Sequence, residues 1–498
     1  MKGKLNVDQA ATIIKQIADA IALYAEIWIL IGLGIFYTVV TRGVQFRFFR
    51  HMWHVVLSSR KDSRGGISSF QAFTISLAAR VGVGNVFGVA AALILGGPGA
   101  IFWMWIVALV GMATSFMEST LAQIFKVKNE DGTFRGGPAY YMWLGLHKRW
   151  FGSIFAVIAI ITCGFVITSV QSNAIAGSIM ATLGTTAAQQ GTHSAIIAVI
   201  LFVFAAPIIL GGIRSVARVT EWMAPIMAVV YVIIAAIILV MNIGQIPAIL
   251  ALIVKSAFTG GALGGGIGGG IFAALINGVQ RGLFSNEAGQ GTGPNAAATA
   301  TVSHPVRQGL IQSLGVFVDT IIVCSATAII ILSAPKEVLS GTDPSQAASL
   351  TTVAVASQLG DWSTYLMLLI ISVLAFSSII AAYVYSDVNM SFVTTKPWAS
   401  WLVRVVSVAS VVLGAVVSLP LVWNAVDIAM AVMTITNLIA ITLLWKWAVG
   451  ALKDYSASRR RDKSAVPVFV AKNNPYLPAE LPTEVWSEEP GKTLSTEA

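Results

Sequence analysis

Long apolar runs separated by short polar stretches dominate the chain. A bilayer core takes about 20 mostly apolar residues per helix. On that ruler eleven segments qualify, near 20–40, 68–95, 99–126, 152–183, 194–211, 219–241, 266–285, 308–333, 362–390, 399–418 and 421–445. The basic residues orient them. With the N-terminus outside, the inner loops collect sixteen lysines and arginines: Arg42, Arg47, Arg50, Arg60, Lys61, Arg64, Lys126, Lys128, Arg135, Lys148, Arg149, Arg214, Arg218, Arg281, Arg307 and Lys396. The outer loops hold only Lys255 and Lys336, the bias expected when cytoplasmic loops are positive. Lys2, Lys4 and Lys15, ahead of the first span, run against this orientation.

Two segments carry polar and small residues where a continuous apolar helix is expected. In the second, Arg80-Val81-Gly82-Val83-Gly84-Asn85 lies at mid-span. Gly-x-Gly alone fits close helix packing. An arginine at mid-membrane costs about 2.5–3.5 kcal/mol on insertion scales, and an unwound turn offers it carbonyls and a polar cavity. The other segment runs from Gly260 through Gly270 to Asn277-Gly278 and on to Ser285-Asn286-Glu287-Ala288-Gly289. No Gly-Lys-Ser/Thr follows, so a phosphate loop is not indicated. Without the first span, the interrupted helices are the first and sixth of ten, matching positions in two five-helix halves. Such a pair is the sequence pointer to inverted repeats with a site between them.

Composition agrees with the pattern. The chain has 498 residues, 56% hydrophobic and 11% charged, and a mean hydropathy of +0.80, which excludes a soluble domain. The net charge of +9 maps to the inner loops and the tail, so it marks membrane orientation and not nucleic-acid binding. Cys163 and Cys324 lie far apart in apolar runs, with no disulfide or thiolate site indicated. The stretch Gln45–Leu57 mixes basic and apolar residues as an interfacial helix does, and the proline-containing tail after Tyr455 is expected to be mobile.

Longer motifs then become specific. Gly96-Gly97-Pro98-Gly99-Ala100-Ile101-Phe102-Trp103-Met104-Trp105, Arg281-Gly282-Leu283-Phe284-Ser285-Asn286-Glu287-Ala288-Gly289, His304-Pro305-Val306-Arg307-Gln308-Gly309 and Gly315-Val316-Phe317-Val318-Asp319 resemble signatures of the alanine or glycine:cation symporter family. The resemblance runs from about Phe70 to the last span. It implies an all-α membrane fold of about eleven helices, one extra N-terminal helix before a five-plus-five inverted-repeat core like that of the neurotransmitter:sodium symporters. The expected divisions are 1–66, 67–241 (first repeat), 242–448 (second repeat) and a cytoplasmic tail, 449–498. It further implies sodium-coupled uptake of a small neutral amino acid, alanine or glycine, with sodium as a co-transported ion, no other cofactor, and a multi-pass place in a bacterial cytoplasmic membrane, in contact with lipid.

On the same resemblance the substrate meets Gly82, Val83, Gly84 and Asn85 in the first core helix, Gln171 in the third, Asn277 and Gly278 in the sixth and Ala382 in the eighth. Sodium is expected on main-chain oxygens of Ala78 and Val81 and the hydroxyls of Ser377 and Ser378, oxygen ligands that suit a hard cation. Adjacent serines also satisfy themselves by bonding to the preceding helical turn, and Gln171 could equally tie helices together. Glu118, Asp319, Asp387 and Asp427 lie in or near spans, and one of them is expected to balance Arg80. The chain departs from the family in Val83, where relatives carry threonine, and in Ala381-Ala382 and Tyr385-Ser386-Asp387, where they carry Gly-Trp and Tyr-Gly-Glu. Loss of that bulk suggests a wider pocket and a larger substrate, such as serine or glutamine; a proton-coupled carrier or an exchanger also stays open. A channel would need a filter ring, and an intramembrane enzyme a nucleophile and base or a metal cluster. The five histidines, His51, His54, His147, His193 and His304, lie in loops or interfacial segments.

Overall fold

A computed structural model describes residues 16, 20–59, 67–129, 132–259, 270–339, 347–417, 419–462 and 466–487. The glycine run 260–269 lies outside the described residues. In chain order the helices that matter here are α1 (Ile27–Val40), α2 (Phe49–Ser58), α3 (Ser69–Arg80), α4 (Gly84–Gly96), α5 (Gly99–Ile124), α6 (Pro138–Leu144), α7 (Arg149–Thr182), α8 (Gln190–Leu210), α9 (Gly212–Met241) and α10 (Ile246–Thr259). They continue as α11 (Ile271–Asn286), α12 (Gly293–Thr299), α13 (Pro305–Leu332), α14 (Ala347–Leu359), α15 (Trp362–Val393), α16 (Pro397–Val416) and α17 (Leu419–Arg461). A two-stranded antiparallel hairpin, β1 (Val127–Lys128) and β2 (Phe134–Arg135), follows α5.

Among the described residues eight helices are long and apolar enough to cross a membrane, nine if the bent pair α3 and α4 counts as one. The apolar helix ending at Val40 is shorter, and α10 is a further apolar helix of 14 residues in a stretch read from the sequence as an outer loop. Of the predicted 266–285 span, the described part is the 16-residue α11.

Burial sorts the helices. In α5 and α15, 67% and 72% of the apolar window is buried, whereas in α9 the share is 33%. α8 and α9 expose Val199, Phe202, Val203, Trp222, Ile226, Val229 and Ile233, an apolar surface that lipid would cover. α11 and α13 pack along α5, so the interrupted helices sit inside this apolar ring.

α3 begins with a capping box. The Gln71 N–H donates to Ser68 Oγ (3.1 Å), and the Ser68 N–H donates to Gln71 Oε1 (3.0 Å). At its far end Val81 leaves helical geometry (φ −77°, ψ 85°), and α4 restarts at Gly84 with an axis bent by 44°. α11 ends at Glu287, which adopts the left-handed conformation (φ 55°), and the chain stays irregular until Gly293. Gly289 (φ 93°) and Gly291 (φ 80°) supply positive φ within that break, where a side chain would be strained.

Three sequence expectations are corrected. Arg281, counted as an inner-loop charge, lies within α11 and pairs with Asp427 of α17 at 2.5 Å, both largely buried. The described part of the tail, Val466–Ser487, is not a loose extension: Trp486 is 2% exposed and its indole N–H donates to Gln123 O (3.0 Å). Asp387, one of the four acids offered as a balance for Arg80, instead accepts from Ser400 Oγ (2.6 Å) and makes no ion pair with Arg80.

His304 caps α13. Its Nδ1 accepts from Val306 N–H (3.2 Å), which leaves the Nε2 proton to donate to Asp454 (3.1 Å). Burial lowers the affinity of this imidazole for a second proton, outweighing the opposing effect of Asp454.

Candidate substrate and ion site

The last four carbonyls of an α-helix have no partner within it. In α3 the final helical bond runs from Val81 N–H to Leu77 O, so the carbonyls from Ala78 onward are the orphans. α15 brings two hydroxyls to them. Ser378 Oγ donates to Ala78 O (2.8 Å) and Ala79 O (3.2 Å), and Ser377 Oγ lies 3.3 Å from Ala78 O. Both hydroxyls also reach Leu374 O, at 2.7 Å from Ser377 and 3.2 Å from Ser378. A hydroxyl that turns its proton to Leu374 O presents its lone pairs to the α3 carbonyls, and the set becomes all-oxygen, as a hard cation requires. The expected sodium residues Ala78, Ser377 and Ser378 are therefore in contact, with Val81 buried at the adjoining break.

The start of α4 presents N–H groups and the positive end of the helix dipole. Gly82 N–H donates to Asn85 Oδ1 (2.9 Å) and Val83 N–H to Gln171 Oε1 (3.4 Å). Only glycine fits at 82, because a Cβ there would meet Ser378 Oγ, with Gln171 Oε1 at 3.4 Å. At Gly84 a Cβ would stand 2.9 Å from Phe284 Cδ1 and 3.2 Å from Ser285 Cα. Gly82, Val83, Gly84, Asn85 and Gln171 thus form one neighbourhood, and Ala382, buried one turn beyond Ser378, lies on the same face of α15.

Asn277 and Gly278 do not join it. Asn277 Nδ2 donates to Ala273 O (2.9 Å) within α11. At Gly278 a Cβ would stand 2.5 Å from Ala100 O and 2.7 Å from Trp103 Cβ, so this glycine serves packing against α5. α11 contributes Phe284 and Ser285 instead. Ser285 Oγ donates to Asp319 Oδ2 (2.6 Å), and Asn85 Nδ2 donates to Asp319 Oδ1 (2.7 Å) and Ser285 Oγ (2.9 Å). Thr320 Oγ1 adds a bond to Asp319 Oδ2 (2.8 Å). Two amide and hydroxyl groups from the interrupted helices therefore close on one buried carboxylate of α13.

A second carboxylate fills the other break. Glu118 of α5 accepts from Gly289 N–H and Gly291 N–H (3.2 Å each) and from Asn437 Nδ2 (2.9 Å). Beside it, Glu287 accepts from Thr292 Oγ1 (2.8 Å) and Tyr385 OH (3.4 Å). The acid at mid-span was the sequence signal for Glu118; that its partner is the break in the neighbouring helix was not readable from α5 itself.

Arg80 has no single counter-ion. Its Nη1 donates to Gln312 O (3.1 Å) and Nη2 to Ser115 Oγ (3.4 Å), and among the described residues no carboxylate stands within ion-pair distance. Its neighbours are instead polar groups of α5 and α13, with Glu118, Glu287 and Asp319 buried further off.

Comparison with known proteins identifies the family. The model of the "Sodium:alanine symporter family" covers residues 7–470. The Amino-acid carrier protein AlsT of Bacillus subtilis (strain 168) is 43% identical over 468 residues, 93% of this chain and 95% of that protein. The Probable sodium/glutamine symporter GlnT of the same organism is 43% identical over 455 residues, 90% of this chain and 91% of its own. Among solved structures, MhsT in complex with L-phenylalanine superposes with a TM-score of 0.58 at 14% identity, covering 79% of this chain and 93% of that one, a likeness of fold. With a family match across nearly the whole chain, helices that fit a bilayer and two interrupted helices facing a polar centre, the chain belongs to the sodium:alanine symporter family of membrane transporters.

Proposed function

We propose that the chain is a sodium-coupled symporter that imports a small neutral amino acid by alternating access. In this reading α1 precedes two inverted repeats of five crossings, the first opened by α3 and α4 and the second by α11 and α12, in a bacterial cytoplasmic membrane with the N-terminus outside. The observation that carries the reading is the meeting of Ser377 and Ser378 with the orphan carbonyls of α3. Sodium bound there joins α15 to the break, orders the start of α4 and raises affinity for the substrate. The substrate carboxylate then takes the N–H groups of Gly82, Val83 and Gly84, displacing the amide oxygens of Asn85 and Gln171. Alanine and glycine are the first substrates to test. The small pair Ala381-Ala382 and the likeness to a protein named a glutamine symporter favour a second reading, a carrier or exchanger of serine or glutamine, coupled to sodium or protons.

Uptake of labelled alanine, glycine, serine and glutamine into proteoliposomes, under an inward sodium gradient or an equal choline gradient, tests both. Sodium-dependent accumulation of one of them establishes coupling and substrate together. Equal accumulation in choline overturns sodium coupling, and no uptake of any of the four overturns the substrate class.

A further inference from the structure

The described part of the tail crosses the cytoplasmic face and touches elements that alternating access would separate. Phe469 N–H donates to Ser303 O (2.9 Å), just beyond α12 and beside the start of α13, and its ring lies edge-on to His304 at 5.0 Å. Ala471 N–H donates to Trp486 O (2.8 Å), and the Phe469 and Trp486 rings meet at 5.4 Å, so the strap closes on itself. Trp486 reaches α5 through its bond to Gln123 O and lies 4.7 Å from Lys126 Nζ, which also stands 4.0 Å above the Phe134 ring. Lys126 in turn donates to Ala300 O (2.9 Å), directly after α12. In the middle of the strap the backbone at Tyr476 and Leu477 packs so closely on Gly450 of α17 that a Cβ there would strike Tyr476 O.

The strap thus binds the inner ends of α5 and α12 to α17. The interior of the strap is aromatic and buried, with Phe469 at 0% and Trp486 at 2% exposure. Apart from its first residues it lies past residue 470, where the family match ends. In carriers built from interrupted helices, access from one side follows when the bundle holding those helices rocks against the remaining helices. A strap joined to both groups at the inner face opposes that motion.

We propose that residues Val466–Ser487 are a cytoplasmic latch that holds the inner side closed and must release before the bundle of α3, α5 and α12 can rock relative to α17. The proposal rests on the transport reading, but its test needs neither substrate nor coupling ion. Ser76, wholly buried on the inner half of α3, serves as a reporter as Ser76→Cys, and the native Cys163 and Cys324 are buried. Labelling by a maleimide is followed in inside-out vesicles without substrate, and intact fold is checked by gel filtration in detergent. Trp486→Phe, which loses the indole N–H but keeps a ring, is expected to raise the labelling rate about 5-fold, the shift that loss of one net hydrogen bond gives a two-state equilibrium, and Trp486→Ala, which also loses the ring contacts, at least as much. Unchanged labelling in a folded Trp486→Ala protein overturns the latch. Should that variant fail to fold, the double substitution Ser303→Cys and Phe469→Cys fixes the strap by a disulfide. Oxidation is then expected to slow hydrogen exchange across residues 69–80, with recovery on reduction, and unchanged exchange at complete crosslinking overturns the proposal.

Discussion

Replacing Ser378 by alanine removes one hydroxyl that the structure places 2.8 Å from Ala78 O and 3.2 Å from Ala79 O. If the hydroxyl only braces α15 against α3, the loss is that of a neutral hydrogen bond, about 1 kcal/mol, felt in stability and not in ion dependence. If it is a ligand to sodium, the loss is that of an interaction with a charge, about 1.5–3 kcal/mol. At 1.4 kcal/mol per factor of ten, that is roughly 10- to 100-fold weaker sodium binding. The assay is the sodium activation curve for uptake at fixed amino-acid concentration, paired with a melting temperature for each variant. Ser378→Thr, which keeps the hydroxyl, is the matched control, and Ser377→Ala is expected to shift the curve in the same direction. A half-activating sodium concentration within 2-fold of the parent, in a Ser378→Ala protein that still transports, refutes the ion-ligand reasoning.

Other perturbations test neighbouring parts of the centre. Gly84→Leu drives its side chain into Phe284 and Ser285 and is expected to abolish amino-acid binding while membrane insertion, read from the monodisperse detergent-solubilised protein, is kept. Glu118→Gln keeps one accepting oxygen but sets an NH2 donor where the other accepts, so a bond from Gly289 or Gly291 is lost and its N–H left unpaired, with an expected cost of about 2 kcal/mol in thermal stability; a melting temperature equal to the parent's would show that Glu118 does not hold the break together. His51 bonds Tyr455 across the junction of α2 and α17 at 2.8 Å. Burial, then the positive Arg459, His54 and Arg307, push it down from 6.5 to about 4. Released from the junction it would take a proton first, so docking of α2 is complete above pH 6.5 and weakens as pH falls toward 4. Hydrogen exchange across residues 49–58 should lose protection in that window, and protection independent of pH after intrinsic-rate correction would contradict it.

The first interruption was legible because its signals are local: Arg80 ahead of Gly82-Val83-Gly84 cannot be accommodated by an uninterrupted apolar helix. The second was legible as a stretch from Gly260 to Gly289, without the part each residue plays in it. Asn277-Gly278 carries the same residue types as a break, but what decides its conformation is the approach of Ala100 and Trp103 from α5, which no local pattern encodes. The break falls instead where Gly289 and Gly291 take positive φ and Glu118 receives their N–H groups. Asp319 could be seen as a mid-membrane acid, whereas its convergence with Asn85 and Ser285 depends on helices about 200 residues apart in sequence meeting in space. The tail reads as mobile because Pro467, Pro475, Pro478 and Pro482 interrupt any periodicity. Its order comes from long-range contacts: Trp486 in a socket at the end of α5, Phe469 on Ser303 and His304, and the Tyr476 backbone on Gly450.

One helix meets the second interrupted segment and its continuation at three depths. α17 runs unbroken for 43 residues. It holds Asp427 against Arg281 before the break, Asn437 against Gly289 and Glu118 within it, and Asp454 against His304 beyond it. From Asp427 to Asp454 the rise is about 40 Å. α17 therefore acts as a graduated rod on which the position of that segment is read at both ends and at the middle. A slide of the segment along the rod would have to surrender all three marks together, whereas a tilt about Asn437 could release one end and keep the other.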